Sequence, residues 1–247
     1  MADNIYPERF CAFVDILGFR GLVARLGKDV GTVESLRDIL NEVHNPKIPG
    51  VASPSSVDYR TQSISDAVAI STEATPEGLL MMFSVLTLMT ENLLAQGYFL
   101  RGAIVRGNLY HDNSIIFGEA LIRAYDLETN VVHFPRIMVN SDVLLKLPTS
   151  HRLYGACNSS IVMSEDGPLH LHVLLGMSRE MNDSAVGADN EPATFQKYYD
   201  MKGKIERRFL DSVDTPAHFE KAKWFAAYWN RSLPGRSDSF LIKGPGL

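Results

Sequence analysis

Two carboxylates stand where chemistry could use them. Asp15 interrupts the apolar run FCAFVDIL at residues 10–17. A carboxylate inside such a strand is expensive to bury unless it is paired or bound to a cation. Asp66 follows Ile64-Ser65 at the tip of an expected hairpin. Neighbouring strands lie about 5 Å apart, so pairing of the first strand with this hairpin would let both carboxylates share one or two hard cations. Oxygen donors favour Mg²⁺ or Mn²⁺ over zinc. The sequence offers no Cys/His cluster with zinc spacing: the HLH at 170–172 alternates His and Leu along a strand and lacks further partners. Each aspartate also has a plainer reading, Asp66 as a turn residue and Asp15 as a helix N-cap. Their order and spacing together favour a metal pair. Gly18, three residues after Asp15, precedes a helical pattern whose N–H groups could cradle phosphate.

The elements that would position these groups alternate in type. The run 10–17 reads as a buried central strand. Residues 19–43 carry helical spacing that Asn45-Pro46 closes. A hairpin spans 57–71, with its turn at Ser65-Asp66. Thr75-Pro76-Glu77 opens a helix to about Gln96, with Gly97 as its cap. Strands follow at 99–106 and 114–117, a helix at 118–129, and a short strand at 136–139. A strand pair near 160–163 and 169–175 precedes two polar helices near 194–210 and 217–229. This order predicts a ferredoxin-like α/β sandwich, a mostly antiparallel sheet with helices on one face. A polar stretch near residue 180 suggests a main domain over 1–180 and a helical extension, 181–247, packed on it.

Composition sets outer limits. The 247 residues carry a formal net charge of −5, with no basic balance to draw the chain to nucleic acid or anionic membrane. The two cysteines, Cys11 and Cys157, sit in apolar or small-residue stretches and read as core residues rather than a disulfide framework. The N-terminus has no signal-peptide pattern, and the apolar stretch 79–94 is broken by Ser, Thr, Glu and Asn, as in a buried helix. A cytoplasmic location is the expectation.

Four segments carry a resemblance. FVDILGFRGL is similar to the first-strand motif of class III nucleotide cyclases, and RTQSISDAVAIS to their hairpin with a Gly-Asp turn. LRGAIVRG resembles their Arg-containing strand. SIIFGEALIRAYDLE resembles the segment in which an aromatic-Gly pair opens a helix ending in Glu. The four occur in family order over residues 10–128. The remainder, with KWFAAYWN at 223–230, looks more like the bacterial Pycsar pyrimidine cyclases of anti-phage defence. The resemblance implies two ions, Mn²⁺ or Mg²⁺, at Asp15, Ile16 and Asp66. It implies a triphosphate cradle from Ile16 to Phe19, including Gly18, and base-reading positions at Gln62 and Ile115. It also implies a homodimer with composite active sites, and a product read by a separate cyclic-nucleotide-binding effector.

This sequence departs from the family at two places. The transition-state Asn and Arg of the purine cyclases fall on Ile122 and Asp126. Arg101, Arg123, Arg106 and Tyr125 are the candidates to replace them. Gln62 is neutral and carries both donor and acceptor groups, and Ile115 offers neither, which suits a pyrimidine. The expectation is UTP as substrate, giving 3′,5′-cyclic UMP, with CTP as the alternative. A non-catalytic nucleotide-sensing domain and another two-metal phosphotransferase are the competing classes; the latter has no GG[DE]EF-like turn here.

Overall fold

The structure is a computed structural model that describes residues 5–19, 30–46, 56–65, 67–183, 193–233 and 238–247. Strand β1 (Glu8–Leu17) is apolar on both sides because both of its faces are covered. Phe10, Ala12, Val14 and Ile16 enter one core cluster, while Cys11 and Phe13 enter a second on the opposite face. Both cysteines are buried and free, as expected for core residues. Strands β2 (Arg60–Ile64), β3 (Ala67–Glu73) and β4 (Phe99–Asn108) join it in the order β2-β3-β1-β4, every neighbour antiparallel. Helix α1 (Val30–His44) lies between β1 and β2 in the chain, and α2 (Pro76–Ala95) between β3 and β4. This is the split β-α-β order that the strand–helix–hairpin–helix–strand pattern predicts.

The sheet continues beyond β4. A short hairpin, β5 (Tyr110–His111) with β6 (Ile116–Phe117), stands apart from it. Strand β7 (Ile137–Val139) runs parallel to β4, followed across the sheet by β9 (Leu169–Leu171) and β8 (Ile161–Met163). The result is a mixed α/β structure with a seven-stranded sheet.

Helix α2 starts where Thr75 accepts a hydrogen bond from Gly78 N at 3.1 Å, with Pro76 at the first helical position. It ends at Gly97, whose φ of +82° suits glycine. Among the described residues it is the one helix long and apolar enough to cross a membrane. Leu79, Met82, Phe83, Leu86, Leu93 and Leu94 are spent in the core instead.

Helix α3 (Glu119–Asn130) corrects the expectation of helices on one face. It packs against the second face of β1 and β4, with Ala120 and Ala124 over Cys11, Phe13 and Val105. Its approach is close: a Cβ added at Gly107 would lie 3.4 Å from the Ala120 methyl. Gly118, with φ of +145°, starts the helix 2.7 Å from the Asn108 carbonyl, measured from where a Cβ would stand. Covering both faces is why Phe10–Val14 of β1 is apolar without alternation.

After two short helices (Asp142–Leu145 and Tyr154–Ser159), three longer ones follow the last strand: α4 (Leu175–Asp183), α5 (Ala193–Asp211) and α6 (Pro216–Arg231). Helix α4 is absent from the sequence reading, which carries a strand to residue 175. The strand ends at Leu171, since a short apolar alternation cannot mark where pairing stops. Phe209, Phe225 and Trp229 from α5 and α6 share one core cluster with Phe10, Ile70 and Leu86 of the sheet and α2. Buried Arg136 fastens the far edge of the sheet. It pairs with Asp166 at 2.6 and 2.7 Å, and its guanidinium lies 5.4 Å from the Trp224 ring of α6.

Candidate functional site

Asp15 lies two residues before the end of β1, on the face that α3 covers. Its cross-strand partners are Ala67 of β3 and Arg101 of β4. Arg101 Nη2 stands 3.5 Å from Asp15 Oδ2, and the same nitrogen forms a shorter ion pair with Glu128 near the end of α3. Glu128 is almost wholly buried. Its contact with Arg101 lacks hydrogen-bond alignment, so Glu128 Oε1 and Arg101 Nε both stay without a hydrogen bond. A second Arg101 nitrogen donates to the Val132 carbonyl at 3.3 Å. Arg101 thus stands between the two carboxylates, closer to Glu128 than to Asp15.

Asp66 lies outside the described residues. Its neighbours on both sides are described, and Ile64 pairs with Ala67 across the hairpin. Ser65 adopts φ of +61°, the left-handed conformation such a hairpin requires. Ala67, next in the chain to Asp66, is directly opposite Asp15.

Gln62 shares the face of Asp15. It pairs with Ala69, itself opposite Phe13, so it sits one row along and two strands across from Asp15, roughly 12 Å by sheet spacing. Its Nε2 donates to the Ser114 carbonyl at 3.4 Å, while its Oε1 is buried and unpartnered. Ile115, one residue on, is half-exposed. The fold therefore brings Gln62 to Ser114, the neighbour of Ile115, across 52 residues of sequence.

A buried network holds that hairpin in place. Arg60 donates to the His111 carbonyl and pairs with Asp58 at 2.7 Å. Arg9 also pairs with Asp58, and its Nε donates to Ser71 Oγ at 3.1 Å. Ser71 Oγ also shares a hydrogen bond with His111 Nδ1 at 2.8 Å. Asp112 finishes the turn by accepting from the backbone N–H groups of Ser114 and Ile115, each at 2.7 Å.

His111 and buried His170 give a pH prediction. Burial pushes both down to about 4, against an ordinary value of about 6.5. The unfolded chain then binds protons that the native state refuses. Stability is full above pH 6.5 and falls as pH drops from about 6.5 to about 4, on the order of 2 kcal/mol for each histidine. Thermal melts across this range, with His111→Asn flattening part of the slope, check it.

The remaining candidates are spread over the molecule. Tyr125 packs edge-on against Phe13, ring centroids 5.5 Å apart, with half of its surface exposed on the Asp15 face. Arg106 lies five residues along β4 from Arg101, roughly 17 Å away by strand rise and on the other face. There it pairs with Glu8 at 3.0 Å. Arg123 pairs with Asp142 at 2.7 Å and donates to the Arg106 carbonyl at 2.9 Å. Of the three arginines, only Arg101 is beside Asp15. Ile16 points into the main core, so only its backbone can face a ligand. Gly18 turns with φ of +87°, and Phe19 packs on the main core. Glu128 escaped the sequence reading as a site residue, although the helix-ending Glu was its signal. Arg208, which donates to the Leu17 carbonyl at 3.1 Å, had none.

The donors suit a hard cation as far as they are described. Asp15 offers carboxylate oxygen near the carboxyl end of the interior strand β1, with Arg101 closer to Glu128 than to it. Among the described residues no three His, Cys, Asp or Glu side chains cluster as a metal site.

No family model and no curated protein matches the chain. Solved structures are similar in part, two of them as follows. A class III adenylyl cyclase-like ATP-binding protein from Pseudomonas aeruginosa aligns at 12% identity and TM-score 0.40, over 58% of this chain and 35% of that one. This chain thus spans about a third of that protein's length. The monomeric guanylyl cyclase domain of the RhoGC fusion protein from Blastocladiella emersonii aligns at 14% identity and TM-score 0.43, over 67% of this chain and 95% of that one. Likeness of this degree says nothing about the chemistry of the site.

Proposed function

We propose that this chain is a nucleotide cyclase of the class III type acting on a pyrimidine triphosphate, with UTP as substrate and 3′,5′-cyclic UMP and pyrophosphate as products. One observation carries the reading. The order β2-β3-β1-β4 sets Asp15 opposite the residue that follows Asp66, on the face that also holds Gln62 beside Ile115. In this reading Asp15, the Ile16 carbonyl and Asp66 hold two Mg²⁺ or Mn²⁺ ions. Such ions acidify the ribose 3′-hydroxyl and neutralise phosphate charge. Backbone N–H groups at Gly18 and Phe19 bind the triphosphate. Arg101 is the candidate nearest to the developing charge on phosphorus, and Tyr125 a second donor on the same face. Gln62 hydrogen-bonds the base edge while Ile115 limits its size.

The same face favours a homodimer. Ile64, Ile115, Phe117, Ile122 and Tyr125 expose 49–62% of their surface around it, an apolar patch of the kind that marks an interface. A second copy would cover it and complete the site. The product would serve as a messenger for a separate effector in a cytoplasmic anti-phage response. A nucleotide sensor without turnover is the second reading, favoured by the hold of Glu128 on Arg101.

Incubation with each of the four ribonucleoside triphosphates and Mn²⁺, with products identified by mass, tests the proposal. Cyclic UMP is expected. Predominant cyclic CMP would change the base and keep the class. Binding without any cyclic product would establish the sensor.

A further inference from the structure

We propose that the C-terminal helices α5 and α6 supply a subsite for the terminal phosphates of the triphosphate and for the pyrophosphate it releases. A cavity of about 290 Å³ opens at the carboxyl end of β1. On the sheet side Leu17, Gly18 and Phe99 line it, and on the helical side Arg208, His218 and Lys221. Its sheet wall is thus the turn that follows Asp15. The other wall comes from the extension, which none of the four cyclase-like segments includes.

The chemistry of this wall is that of an anion site. Arg208 is fixed in place: it donates to the Gly97 carbonyl at 2.8 Å and the Leu17 carbonyl at 3.1 Å, and its guanidinium lies 4.7 Å from the Phe99 ring. Gly18 has no side chain to intervene, and a Cβ there would come within 3.2 Å of Arg208 Nη2. Backbone and guanidinium are therefore adjacent at the mouth of the cavity. Lys221 is half-buried in the same wall and forms no ion pair among the described residues. It lies in the second turn of α6, whose N-terminal end adds positive potential. Asp211 contributes one opposing charge to the lining. The cationic excess is local, in a chain whose net charge is −5. A polyphosphate with two adjacent anionic groups fits this arrangement: one group at the Gly18 turn and one at Lys221.

The subsite rests on the nucleotide reading for its role, but its test does not require turnover. Titration calorimetry with inorganic pyrophosphate, with and without Mn²⁺, is compared for the full chain and for Lys221→Ala, Lys221→Arg and Gln62→Ala. Pyrophosphate should bind more tightly than orthophosphate. Lys221→Ala should weaken it at least about tenfold, Lys221→Arg should retain most of the affinity, and Gln62→Ala should leave it unchanged. Melting curves confirm that the variants fold. Absence of pyrophosphate binding, or equal binding by Lys221→Ala, overturns the subsite. If Asp15→Ala loses pyrophosphate while Lys221→Ala keeps it, the phosphates stay with the ions alone and the cyclase reading stands without the extension. If no triphosphate gives a cyclic product yet pyrophosphate binding still depends on Lys221, the cyclase reading fails and the subsite remains.

Discussion

Asp15→Ala is expected to reduce cyclic-nucleotide formation by at least about a hundredfold, the scale on which losing a group that stabilises transition-state charge is felt. Asp15 is one of the two carboxylates assigned to the ions, so Mn²⁺ added in excess should restore little. Folding should survive. Asp15 is partly exposed, and its contact with Arg101 is long at 3.5 Å. Arg101 keeps its tighter partner Glu128 when Asp15 is gone. The melting temperature should therefore move by only a few degrees. Turnover assays at several Mn²⁺ concentrations, beside a melting curve, make the measurement. An Asp15→Ala protein with near-normal turnover would remove the ions from this end of β1.

The second large effect concerns Arg101 and Glu128. Arg101→Ala leaves a carboxylate that is only 3% exposed without its counter-charge. Breaking a buried pair from one side typically costs about 3–5 kcal/mol, or roughly 10 °C in melting temperature for a chain of this size. Replacing both partners, Arg101→Met with Glu128→Leu, should recover much of that loss, because no buried charge is then left alone. Activity separates the roles. Glu128→Ala frees the guanidinium to turn fully onto Asp15, where it competes with a cation. The Mn²⁺ needed for half-maximal activity should then rise by roughly tenfold, as for other groups that orient a metal ligand. If the double variant turns over normally, Arg101 has no part in the chemistry, and Tyr125 becomes the group to test.

Two kinds of information separate in this chain. The local rules of the sequence determined the first half of the fold. The run 10–17 is apolar without alternation, which marks a strand covered on both faces, and β1 is buried that way. Thr75-Pro76 and Gly97 bracket α2 to within a residue, since capping chemistry is local. Asp15 was legible because a charge in an apolar strand is anomalous wherever the strand goes.

Tertiary structure decided what depends on neighbours distant in sequence. The sequence cannot show that α3 crosses to the second face, because the second core consists of small residues, Ala120 and Ala124 against Cys11, without a strong pattern of their own. Nor can it rank three arginines. Arg101 and Arg106 sit five residues apart on one strand, and an odd spacing sends them to opposite faces and to different carboxylates. The pairing of Gln62 with Ser114, and of Arg208 with the turn after Asp15, joins residues 52 and 191 positions apart. Such contacts follow from sheet order and helix packing, which no local pattern encodes.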